Sequence, residues 1–243
     1  MNRARATYGR AARGIASMSL AIALCLPWAA PGAGDEPRWL GTAVLYPRSS
    51  GIQLPGRGPV LVLEPTFVHL AGSRWNQARI AQAAETTAAV LAQCGVAIPR
   101  IALHRVEVPE RYQDFHVPAS RELARRLGYP KPTVYFVRDT RQRIAFDAEA
   151  IGRANSQGRP ELQDTVWITE GIRDPGIALA HELAHVLMDS GEHVDLPGNL
   201  MRDETAPENR ELTPAQCARL RATGEAHGLL QAAGSRAPAR RVR

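Results

Sequence analysis

The stretch DPGIALAHELAHVLMDSGEH, residues 174–193, decides how the rest of the chain is read. His181 and His185 are four residues apart, and on a helix such residues stand one above the other, so their ring nitrogens can converge on one tetrahedral zinc centre. Glu182 lies about 100° further round the helix. There it is poorly placed to ligate the same ion, yet close enough to take a proton from a zinc-bound water as general base. The competing reading is an ordinary amphipathic helix carrying two histidines.

The flanks favour the metal. Asp174-Pro175 is a helix start, with Asp at the N-cap and Pro at the first helical position, where its missing N–H costs nothing. From Gly176 to Met188 only His181, Glu182 and His185 can carry charge. Leu179, Leu183, Val186 and Leu187 fill one apolar sector, while Ala178 and Ala184 keep small side chains beside the histidine face. A helix of this kind is built to be buried, and a buried unpaired Glu or His is costly, so the three groups need a partner such as a metal. Gly191 is expected to adopt the left-handed conformation that turns the chain after the helix. Two residues later His193 brings a third imidazole, which makes the three protein ligands and open water position of a catalytic zinc.

With Asn199-Leu200-Met201 downstream, the run HELAHVLMDSGEH resembles the metzincin clan of zinc peptidases, whose pattern is HExxHxxGxxH followed by a tight turn carrying a methionine. The resemblance covers mainly residues 174–202. It implies His181, His185 and His193 as zinc ligands, Glu182 as general base, Gly191 as the helix-ending glycine and Met201 as the methionine of the turn, a packing role. The spacing departs from the family: its glycine would fall at Met188 and its third histidine at Gly191, and no Tyr follows Met201. Asp195 is therefore a competing third ligand, since some related peptidases use Asp there. Another class of zinc peptidase takes a downstream Glu from a second helix. Glu204 and Glu208 are at a conceivable distance, but Arg202–Pro207 reads as a loop.

The fold implied is α+β: a metzincin-like zincin domain with a twisted mixed sheet backed by helices and the zinc helix below the cleft. In that arrangement an edge strand ahead of the zinc helix binds extended peptide by strand addition, a role assigned here to Asp164–Glu170. The activity implied is that of an exported zinc metalloendopeptidase acting on peptide or protein substrates. An exported zinc-binding or vestigial non-catalytic module, with a structural metal site, is the alternative.

Residues 1–34 read as a secretory signal: Arg3, Arg5, Arg10 and Arg13 form a basic start, Ile15–Leu26 a mostly apolar run and Gly32-Ala33-Gly34 a small-residue exit. The apolar run is too short for an ordinary spanning helix, so the mature chain is expected to have no membrane span. Four of the 30 Lys and Arg residues, and none of the 24 Asp and Glu residues, lie in this segment. Arg236, Arg240, Arg241 and Arg243 sit in a basic tail, 229–243, whose composition reads as disordered. What remains is near neutral, so the sequence pI of about 9.8 does not argue for nucleic-acid binding. After export two cysteines are left, Cys94 and Cys217, either disulfide-bonded in an oxidising compartment or two buried thiols.

Residues 35–58 are rich in Pro, Gly and Arg and read as a flexible lead-in or short pro-segment. Residues 59–228 form the catalytic domain, expected to be monomeric. Periodicity predicts strands at Pro59–Glu64, Arg100–Val108, Thr133–Arg138, Arg143–Ala148 and Thr165–Thr169. Helices are predicted at Asn76–Gln93, ending at Gly95, and at Ala119–Leu127. A last helix starts at the capping box Thr213-Pro214-Ala215-Gln216 and runs toward Gly224. His69, His104, His116 and His227 show no ligand spacing.

Overall fold

A computed structural model of the chain describes residues 36–48, 59–140, 148–154 and 156–234. The proposed signal segment and the end of the basic tail lie outside the described residues, in which no helix is long and apolar enough to cross a membrane.

Short apolar runs become strands of one six-stranded sheet. Its members are β1 (Arg38–Leu45), β3 (Thr66–Ala71), β5 (Ile101–Glu107), β6 (Thr133–Val137), β7 (Ala148–Ile151) and β8 (Thr165–Thr169), in the order β1-β5-β3-β6-β8-β7. The four central strands are parallel, whereas β1 and β7 close the two edges antiparallel. Every residue of β6 and β8 is buried, as parallel strands covered on both faces must be. Val134, Phe136, Val166 and Ile168 join one core, and Tyr135, Val137 and Trp167 the other, following the period of two. A second, three-stranded sheet pairs β2 (Leu61–Leu63) with β4 (Val96–Ala97) and β9 (Leu230–Ala232).

The helices are α1 (Gln77–Ala92), α2 (Val117–Leu127), α3 (Pro175–Met188) and α4 (Pro214–Ala226). Helices α1 and α3 pack together over the first core, in which nearly all of α3 is submerged. Gly176 permits their close approach, since a Cβ there would lie 2.5 Å from the Thr86 side chain. The Thr87 hydroxyl donates to the Gly176 carbonyl at 3.1 Å and fastens the start of α3 to α1. Helix α2 covers the opposite face. Cys94, beyond the end of α1, is disulfide-bonded to Cys217 in α4 across 123 residues of chain.

Several expectations need correction. Residues 38–45 are not a flexible lead-in but a sheet edge paired with β5, because the Pro and Gly that dominate that region's composition follow the β-prone run Thr42–Tyr46. The tail begins later than expected, since Leu230–Ala232 pairs with β2. Thr66–Ala71 is a further strand that periodicity did not predict: only Glu64 and Pro65 separate it from β2, yet all but its last residue are buried. Of the strand expected at Arg143–Ala148, residues 143–147 lie outside the described residues and Ala148 opens β7. The edge position expected for Asp164–Glu170 is held instead by β7, because β8 is flanked by β6 and β7.

Candidate metal centre

Helix α3 begins at Asp174, but the Asp174 side chain makes no capping hydrogen bond; its backbone carbonyl instead accepts from the amides of Ile177 and Ala178. The loop before it is held from α1, where the Arg79 guanidinium donates to the carbonyls of Glu170 at 2.9 Å and Ile172 at 2.8 Å. The helix therefore enters the cleft at a fixed angle. At its other end the left-handed residue is Asp189, with φ of 48°, and Gly191 has no positive φ. Aspartate tolerates this conformation better than most residues. Its Oδ1 also accepts from the Ala154 amide at 2.9 Å, which joins the helix end to the chain leaving β7.

His181 and His185 are buried on one side of α3, and the segment after Asp189 folds His193 back over them. Their three Nε2 atoms form a triangle with edges of 2.9, 3.2 and 3.2 Å. The remaining nitrogens fix the tautomers. His181 Nδ1 meets the Leu200 carbonyl and His185 Nδ1 the Ser190 carbonyl, each at 2.6 Å. A carbonyl can only accept, so both Nδ1 atoms carry the proton and both Nε2 atoms present bare lone pairs. His193 Nδ1 lies 3.5 Å from Asp203 Oδ1.

Lone pairs facing one another at this distance, with no proton between them, repel unless a cation shares them. The donor set fits a zinc ion, for which imidazole nitrogen is a preferred ligand. Burial, reinforced by the neighbouring imidazoles, holds His185 down to about 4 and His181 below its ordinary value, which keeps both rings neutral as ligands must be. Glu182 is 9% exposed and borders the same cleft of about 770 Å³. Among the described residues its carboxylate makes no hydrogen bond or ion pair, and burial, with the Glu149 carboxylate adding to it, pushes its pKa up to about 8.

Met201 is buried in the first core and sits in a turn from Gly198, whose φ of 77° needs glycine. The turn carries the Leu200 carbonyl that orients His181. Asp195 does not join the three histidines: its side chain is 96% exposed and pairs with Arg202 at 3.5 Å. Glu204 lines the cleft without entering the cluster, and Glu208 does neither. Sequence reasoning missed Asn199, Gln216 and Gln93. The Asn199 and Gln216 amides bond each other reciprocally at 2.9 and 3.0 Å, and Asn199 Oδ1 also accepts from the Met201 amide at 2.9 Å. Only the capping box hinted at Gln216.

No known family model matches the chain, and no curated protein matches it by sequence. Among solved structures it is similar to metalloproteinase-II from Bacteroides fragilis, with a TM-score of 0.50 and 17% sequence identity over 68% of this chain. The match spans 56% of that protein, little more than half its length, and is a likeness of fold.

Proposed function

We propose that the chain is an exported zinc-dependent endopeptidase that hydrolyses peptide bonds in peptide or protein substrates, with His181, His185 and His193 as metal ligands and Glu182 as general base. The observation that carries this reading is the convergence of three Nε2 atoms within 3.2 Å, those of His181 and His185 with bare lone pairs, and a buried, otherwise unbonded carboxyl beside them. Zinc bound there supplies Lewis acidity, polarising the scissile carbonyl and acidifying water.

The chain's own residues do the rest. Glu182 accepts the proton of the attacking water and delivers it to the leaving amine, a role that its place on the cleft beside the histidine cluster allows. The carbonyls of Leu200 and Ser190 hold the two helix-borne rings in one tautomer. Edge strand β7 borders the cleft, along which an extended substrate would lie. Met201 lies in the turn that orients His181 and packs its side chain into the core, the role that the resemblance to metzincins implies.

A non-catalytic module with a structural zinc is the second reading, and such a site has four protein ligands. The histidine cluster supplies three among the described residues, and Glu182 stands beside it rather than in it. The test is metal analysis of the purified protein with cleavage of an unfolded protein substrate, with and without chelator. One zinc per chain and chelator-sensitive cleavage are expected; bound zinc with no turnover on a broad peptide library would overturn the catalytic reading in favour of the module.

A further inference from the structure

The disulfide Cys94–Cys217 is flanked by two glutamines, Gln93 and Gln216; the Gln93 side chain is bonded to backbone beside the turn that orients His181, and the Gln216 side chain to Asn199 within that turn. Gln93 uses both ends of its amide: its Oε1 accepts from the Leu212 amide at 2.7 Å and its Nε2 donates to the Arg210 carbonyl at 2.8 Å. That grips the residues on either side of Glu211. The Glu211 carbonyl in turn accepts from the Leu200 amide at 2.7 Å, and its amide donates to the Gly198 carbonyl at 2.9 Å. Gln216 grips the same turn from α4, through the reciprocal bonds to Asn199. The two grips meet at Leu200, whose carbonyl receives the His181 Nδ1 proton at 2.6 Å.

We infer that Gln216 and Gln93 are positioning residues for the metal site, acting through the 198–201 turn on the His181 ring. This rests on the metal reading above. A ring whose Nδ1 acceptor drifts loses the direction of its Nε2 lone pair, and removal of such supporting bonds weakens metal sites about tenfold or more. The disulfide beside both glutamines fixes the spacing of the two grips, with Cα atoms 4.8 Å apart.

A substitution can separate this role from helix capping. Gln216→Glu keeps the Oε1 acceptor that caps the Thr213 amide at 2.8 Å, but it replaces the Nε2 donor with an oxygen facing Asn199 Oδ1. Thr213→Ala does the reverse, removing the hydroxyl that accepts from the Gln216 amide and leaving the grip on Asn199. Zinc affinity by competition with a chromophoric chelator, thermal unfolding, and the NMR signal of the His181 Nδ1 proton are measured for both. Gln216→Glu is expected to bind zinc about tenfold more weakly, with a displaced His181 signal and little change in melting temperature. Thr213→Ala is expected to melt earlier with zinc affinity unchanged. Loss of zinc affinity in step with melting temperature in both variants would show a merely structural role and overturn the inference, as would unchanged zinc binding and an unmoved His181 signal in Gln216→Glu. Wild-type protein that binds no zinc would overturn the metal reading instead, and the His181 signal of the metal-free protein would still decide whether the grip reaches the ring.

Discussion

On the two faces of the six-stranded sheet, two sets of buried polar side chains are partnered differently. On the α2 face Trp167 stacks on Tyr135 with ring centroids 4.0 Å apart, and its indole N–H donates to Thr165 Oγ1, which itself donates to the Leu162 carbonyl. Asp114, also buried, accepts from the Arg138 guanidinium through both oxygens at 2.9 and 3.0 Å. These groups find their partners inside the protein and serve the fold. On the α3 face His181 and His185 spend one nitrogen on a backbone carbonyl and leave the other bare, while the Glu182 carboxyl has no bonded partner among the described residues. Buried lone pairs left without a partner are destabilising, and on the α3 face they gather at one end of the cleft, where the proposed chemistry would take place.

The largest effect that tests this contrast is expected from Glu182→Gln. Removal of a general base costs about 10³-fold in kcat/KM, and the isosteric amide should leave zinc content and folding intact. Leu123→Ala, in α2, is its mirror: a fully buried leucine lost from the other face should destabilise by about 3 kcal/mol without changing kcat/KM of the folded protein. Steady-state kinetics and denaturant titration of the two variants decide the matter. Full activity in Glu182→Gln would break the division of labour.

The same contrast explains what was legible in the sequence. HELAH could be read because a four-residue spacing on a helix is local geometry, and the capping box of α4 because its partners lie three residues apart. The turn residue was misjudged, Gly191 for Asp189, because a left-handed aspartate is supported here by the distant Ala154 amide. Gln93 was invisible for the same reason, with its partner Leu212 lying 119 residues away. Strand β1 was lost in the averaged composition of its region, and the edge position passed to β7 because strand order is a property of the whole sheet.

A smaller effect is the pH dependence of the metal-free protein. Glu182 titrates near 8 in the fold against 4.5 in the unfolded chain, so the fold binds the extra proton and its stability falls as pH rises through that interval. The two histidines act with opposite sign: their folded values lie below 6.5, so stability rises with pH up to that point. Below pH 6.5 the slopes oppose each other; between 6.5 and 8 the Glu182 slope stands without them. Wild-type protein treated with chelator should lose about 2 kcal/mol over that window, and Glu182→Gln should lose much less. Equal slopes in the two proteins would mean that the carboxyl is hydrated rather than held in a dry site.

The smallest effect sharpens where the two faces join. Asp189 ends the site helix in a left-handed conformation and bonds the Ala154 amide beyond β7, whose other neighbour, β8, carries Trp167 into the opposite core. Asp189→Ala keeps the strained backbone and removes the acceptor, so a loss of about 1–2 kcal/mol is expected. Asp189→Asn keeps both the oxygen and a side chain tolerant of that conformation, and its stability should stay close to wild type. Because β7 borders the cleft, the alanine variant should raise KM with little change in kcat. A fall in kcat at constant KM would instead mean that the helix end positions His185 through the Ser190 carbonyl, and that this corner belongs to the chemistry rather than to substrate alignment.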